Sequence, residues 1–140
     1  MNYLQRLIGV LSVATILVLS TNGLVLAQNA EKYLNVGSDS NGDPFLLDTT
    51  TMGEKEKKFG EVLKIYQIKH NLYMYEYMLR PSCSDARIWA VGHRVYNINT
   101  GEKITEEKED REISDHGDNA GSTALKYYCQ AIKARGWQLR

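Results

Sequence analysis

The sequence predicts an α+β domain: an antiparallel β-sheet of four to six strands carrying a C-terminal helix, fastened by one disulfide. Three observations predict it. Leu72 to Leu79 alternates along an extended chain, with Tyr73, Tyr75, Tyr77 and Leu79 on one face and Leu72, Met74, Glu76 and Met78 on the other. Thr123 to Arg135 carries Leu125, Tyr128, Cys129 and Ile132 at helical spacing, so that face must pack on something. Cys83 and Cys129 are the two cysteines of the chain, and an even pair in an exported protein most simply forms one bridge.

Export is read from the amino terminus. Arg6 precedes an apolar run from Leu7 to Leu19, a polar break at Ser20-Thr21-Asn22-Gly23 follows, and Val25 and Ala27 fit the small-residue positions before a signal-peptidase cut. Residues 1–27 are expected to be a signal peptide, with the mature chain beginning at Gln28. The competing reading is a retained anchor, because Leu7 to Ala27 just reaches the roughly 20 residues a spanning helix needs; the polar break argues against it. Once the leader is removed, no membrane span is expected.

Residues 28–140 then form a single domain of 113 residues, enough to enclose a modest core. The whole chain balances 17 basic against 17 acidic residues. Arg6 is the only charged side chain lost with the leader, so the mature domain is close to neutral. That excludes the basic footprint of a nucleic-acid binder and a polybasic membrane patch.

In chain order, Glu31 to Val36 is expected as an edge strand, and Ser38 to Pro44 as a reversal rich in turn-forming residues. Asp39, Asn41 and Asp43 alternate like the opening of a calcium loop. Pro44 stands where such a loop needs glycine, and Thr50 where it needs the closing glutamate, which favours a turn. Phe45 to Met52 is expected as a strand, and Gly53 to Lys58 as a solvated loop. Val62 to Lys69 and Leu72 to Leu79 are expected to form a hairpin through His70-Asn71, with Pro81 ending the second strand.

Ile88 to Ile98 is apolar on both faces and belongs inside the sheet. Asn97 to Glu102 is a hairpin turn with Gly101 in the left-handed position, and Lys103 to Glu106 is the return strand. The charged run from Glu106 to Asp118 is expected to be a solvated connection. Ser122 is the expected helix cap and Gly136 the expected stop, with Trp137 folding back over the helix end. A Cys83–Cys129 bridge closes a separation of 46 positions, for which chain entropy gives up to about 4 kcal/mol.

No catalytic residues and no metal or other cofactor are expected. His70, His93 and His116 do not stand at metal-ligand spacings. No elbow of the Gly-x-Ser-x-Gly type exposes a nucleophile. Nine tyrosines against two phenylalanines are the compositional oddity. Tyrosine combines contact area with a polar tip and suits interfaces, so Tyr73, Tyr75 and Tyr77 are the candidate interaction face, with ordinary half-buried sheet packing as the alternative.

The chain resembles the surface-adhesin protein E-like family of small exported bacterial domains. The resemblance rests on Phe45-Leu46-Leu47-Asp48-Thr49-Thr50-Thr51-Met52, the apolar stretch Val62 to Ile68, Cys83, the tyrosine strand and turn Tyr96-Asn97-Ile98-Asn99-Thr100-Gly101, and Gly121-Ser122 before Cys129. It implies a non-enzymatic, disulfide-bonded sheet-and-helix domain, with adhesion or ligand binding among relatives. The function expected is therefore an exported binding or interaction module, periplasmic, secreted or at the cell surface. Its partner would be a protein or an envelope or extracellular ligand, and self-association into a homo-oligomer is a further option. The alternatives are a small secreted enzyme or enzyme inhibitor whose site assembles only in three dimensions, and a structural envelope component.

Overall fold

A computed structural model describes residues 32–114 and 119–138. The expected signal segment 1–27, the cut before Gln28 and His116 lie outside the described residues. The elements in order are β1 (Tyr33–Ser38), β2 (Pro44–Asp48), β3 (Glu54–Glu56), β4 (Gly60–Lys69), β5 (Tyr73–Ser82), β6 (Arg87–Asn97), β7 (Lys103–Glu112) and α1 (Ala120–Ala131). Among the described residues, no helix is long and apolar enough to cross a membrane.

The sheet is antiparallel throughout and runs β1-β2-β4-β5-β6-β7, with β3 paired to the start of β4. β5, the alternating strand, lies in the middle of that order. The β4–β5 register sets Leu63 against Leu79, Ile65 against Tyr77, Gln67 against Tyr75 and Lys69 against Tyr73, so these eight side chains share one face. His70 and Asn71 turn the hairpin with φ of 56° and 51°, the left-handed pair that matches strand twist. Gly101 takes the left-handed position expected of it, with φ of 73°.

α1 packs on the face that carries Leu63, Ile65 and Leu79, touching β1, β5 and β6. Ala124, Leu125 and Cys129 of the helix enter one buried cluster with Val36, Leu47, Leu63, Ile65, Leu79, Ile88 and Ala90. Cys83, just past β5, is bonded to Cys129. Trp137 packs against the same cluster and donates its indole N–H to the Cys83 carbonyl at 2.9 Å. The bridge and the tryptophan therefore hold both ends of the helix's last turns to the end of the central strand.

The opposite face is covered differently. Phe59, Val62, Met78 and Val91 make a small apolar cluster, with Trp89 packed at its side. Next to it, the Arg94 guanidinium binds Glu76 at 3.0 Å, Glu106 at 2.9 Å and Glu56 at 2.6 Å. Lys64 pairs with Glu56, and Lys58 and Lys103 with Glu106. Tyr66 donates to the other oxygen of Glu76 at 2.8 Å. A largely covered cation surrounded by carboxylates satisfies the rule that charge leaves water only when paired.

Several boundaries differ from expectation, each for a tertiary reason. The sheet has seven strands because Glu54–Glu56, read as a loop, pairs with Gly60–Val62. Phe45 to Met52 ends as a strand at Asp48, whose Oδ1 accepts from the Thr50 N–H at 2.9 Å and the Thr50 hydroxyl at 2.7 Å and turns the chain. Pro81 does not end β5: the β4–β5 register stops at Leu63 and Leu79, and Pro81 pairs only with Ile88 of β6. The missing N–H therefore removes no β4–β5 bond.

The largest correction concerns the charged run. Glu106 to Glu112 is not a solvated connection but the second half of β7, the edge strand. Charged side chains weaken strand propensity, yet on an edge they protect against further pairing.

The helix also begins and ends earlier than expected. Asn119 is the cap, its Oδ1 accepting from the Ser122 N–H at 2.8 Å. At the other end Lys133 takes the left-handed conformation with φ of 56°, Ala134 N–H reaches the Cys129 carbonyl at 2.9 Å, and Lys133 N–H reaches that of Gln130 at 3.0 Å. That bonding is a Schellman stop built on lysine in place of glycine. Ile132, expected on the packed face, is 53% exposed, and Ala124 is buried instead.

Candidate functional site

The residues of the helix-bearing face do not all lie under the helix. A cleft of about 300 Å³ opens between the first turn of α1 (Asn119, Ala120, Gly121) and the sheet. Its walls come from β2 (Phe45), β4 (Ile65), β5 (Tyr77, Leu79), β6 (Ala90, Gly92), β7 (Glu109, Arg111) and Ile113. In a flat sheet β2 and β7 would stand roughly 19 Å apart, so lining one small cleft from both requires the sheet to curl. Register shifts at Val91 on β6 and at two places on β7 supply that bend. The helix-bearing face is the concave one.

Sequence dictates the cleft's width at one point. Gly121, in the first turn of α1, lies where a Cβ would come within 3.2 Å of both Ile113 Cδ1 and Cγ2. A side chain there would require the Ile113 side chain to give way by a few tenths of an ångström.

From the cleft a strip of aromatic rings continues along β5. Tyr77 meets Phe45 edge-on, with ring centroids 6.0 Å apart at 62°. Tyr75 lies 6.0 Å from Tyr77 at only 31°, so the two rings form a near-continuous platform. Tyr73 follows on the same face. All three tyrosines of the candidate face are half-buried.

The strip is bordered by polar groups on both sides. On the β4 side, Tyr77 donates its hydroxyl to Gln67 Oε1 at 3.2 Å, and Gln67 Nε2 donates to Asp39 Oδ2 at 2.9 Å and the Asp43 carbonyl at 3.1 Å. Lys69 pairs with Asp39 and Asp43. Burial raises the Tyr77 phenol above its ordinary range, while the Lys69 ammonium holds the Asp39 carboxyl below its own. On the β6–β7 side, His93 lies between Glu107 at 3.7 Å and Glu109 at 3.4 Å. Glu109 also faces Arg111 at 3.9 Å.

These contacts show where several residues singled out in the sequence stand. Asp39 is a turn closure: its Oδ1 accepts from the Asn41 and Asp43 N–H groups at 2.9 and 3.0 Å, and its Oδ2 is taken by Gln67 and Lys69. No lone pair is left pointing at a calcium site. His70 stands in the β4–β5 turn, whereas His93 stands midway along β6 opposite Tyr77. Among the described residues, no group of three metal-ligating side chains is assembled. Cys83 and Cys129 are bonded to each other, and Ser82 Oγ is hydrogen-bonded to Asp85 at 2.9 Å.

The tyrosine row is legible in the sequence as one face of a strand, whereas the cleft beside it is not. Its walls come from six separate elements, and Glu109 and Arg111 were assigned to a connection. The alternation of Glu107, Glu109 and Arg111 was the one available signal, obscured by the bulges of β7. No protein-family model, no curated protein and no solved structure matches this chain.

Proposed function

We propose that this chain is an exported, non-enzymatic binding module whose binding surface is the uncovered part of the concave face. The observation that carries this reading is the cleft of about 300 Å³ at the start of α1, continuous with the Phe45–Tyr77–Tyr75 strip. An apolar concavity with a few convergent polar groups is the usual form of a ligand site, and half-buried tyrosines supply contact area with little conformational entropy to lose. Export is supported by the leader pattern of residues 1–27 and by the disulfide, a bond that persists in oxidising compartments. The resemblance to surface-adhesin protein E-like domains supports the same class of function.

The test is an amide ¹H–¹⁵N spectrum of the mature domain recorded against a library of small aromatic and aliphatic fragments. Shifts concentrated on Tyr77, Ala90, Gly92, Ile113 and Gly121 are the expected result. Fragments that leave these amides unmoved, or that gather on the convex face, would defeat the reading.

A further inference from the structure

We propose that the concave face recognises an extended peptide segment in which an apolar side chain is followed by basic ones. The apolar group enters the cleft, and the cations lie between the tyrosine platform and the carboxylates of Glu107 and Glu109. This rests on the concave face being the binding surface, and adds the chemistry of its ligand.

Shape and charge each support it. From Tyr77 to Tyr73 the strip follows about 13 Å of strand, too long for a single small group and suited to several residues of extended chain. The cleft at its end is walled mainly by Phe45, Ile65, Tyr77 and Ile113, which match one apolar side chain. Around the strip stand four carboxylates, Asp39, Asp43, Glu107 and Glu109, against the fixed cations Lys69 and Arg111.

Lys69 is committed to Asp39 and Asp43, but the acidic groups on the other border are loosely engaged. Glu107 is 66% exposed and, among the described residues, pairs with the His93 ring alone, at 3.7 Å; Arg111 is 68% exposed and 3.9 Å from Glu109. A ligand cation there gains carboxylate partners and an aromatic face together. Arg111 competes for the same place.

The probe is a short blocked peptide with one phenylalanine followed by two arginines, titrated into the mature domain while amide shifts are followed. Its controls replace the arginines by glutamates, or the phenylalanine by alanine. The basic peptide is expected to shift cleft and platform amides, to weaken as salt is raised, and to lose about two- to fivefold in affinity with Glu107→Gln or Glu109→Gln. Arg111→Gln is expected to strengthen it by a similar factor. Equal or tighter binding of the acidic peptide, or affinity indifferent to all three substitutions, overturns the basic-ligand assignment and leaves the concave face as a binding surface. Silence of the concave face toward both peptides and the fragment library removes both proposals.

Discussion

The ring of Phe59 occupies the place of a side chain at Gly92: a Cβ at Gly92 would stand 2.2 Å from Phe59 Cε1 and 2.7 Å from the Glu107 carbonyl oxygen. Phe59 comes from the turn between β3 and β4, and it plugs the convex face where β6 carries no side chain. Gly92 also lines the cleft on the concave side, so the sheet is one backbone thick between plug and cleft.

Gly92→Ala is therefore expected to destabilise the domain by about 3 kcal/mol, the upper part of the usual overpacking range. Phe59→Ala leaves a cavity and costs about as much. In the double variant the two losses should fall short of additivity, because one removes the clash the other creates. Urea unfolding of the single and double variants measures this coupling; strict additivity would mean the ring moves aside freely.

Arg94 fixes the other half of the convex face. Its side chain is 12% exposed and that of Glu76 7%, so Arg94→Ala leaves a carboxylate in a poor dielectric with Tyr66 as its remaining donor. A loss of about 3 kcal/mol is expected in chemical denaturation. Arg94→Lys should recover only part of it, since a point charge cannot bridge three carboxylates arranged around a planar fork.

The same network sets the acid limit of the fold. Hydrogen bonds from Lys103, Lys58 and Arg94 hold Glu106 at about 2, and the Arg94 hydrogen bond, reinforced by Lys64, holds Glu56 below its ordinary range. A carboxyl depressed in the folded state binds fewer protons there than when unfolded, so it stabilises above the unfolded value of about 4.3. That contribution should decline as pH falls through the interval down to about 2. The thermal midpoint is expected to be flat from pH 7 to 5 and to drop below 4.5, and Glu106→Gln should flatten the drop. An unchanged acid limb in the variant would remove Glu106 from the account.

Lys133 occupies a left-handed position that costs a side-chain-bearing residue about 1 kcal/mol. Lys133→Gly should raise stability by up to that amount, reduced by the extra freedom glycine gives the unfolded chain. Lys133→Val should lower it. Thermal melts of the two variants moving in the same direction would contradict the Schellman stop.

If the proposed export holds, non-reducing intact mass of the protein produced from its full sequence will give a chain starting at Gln28 with one disulfide. Replacing both Cys83 and Cys129 by alanine should cost up to about 4 kcal/mol. It should also loosen Trp137, whose indole bonds to the Cys83 carbonyl, so tryptophan fluorescence would report the loss.

Local sequence determined a good deal of this protein. Alternation along Tyr73 to Leu79 determined a strand, because side chains on a pleated chain have a period of two. Asn97 to Gly101 determined a hairpin, because glycine accepts positive φ. Leu125 and Cys129 determined a buried helix face, and the cysteine pair a bridge. These signals act over a few residues and remain visible in isolation.

Tertiary structure decided the rest. Glu106 to Glu112 becomes a strand through its edge register with β6 and the Arg94 pairing of Glu106, which outweigh its weak propensity. Lys133 rather than Gly136 stops the helix, since the Cys129 bridge and the docking of Trp137 set where the chain must leave. The cleft depends on curvature, the sum of bulges at Val91 and along β7, which no short window of residues displays. Tyr73, Tyr75 and Tyr77 were legible as a row, but only the curl of the sheet placed that row beside a cavity and between two acidic borders.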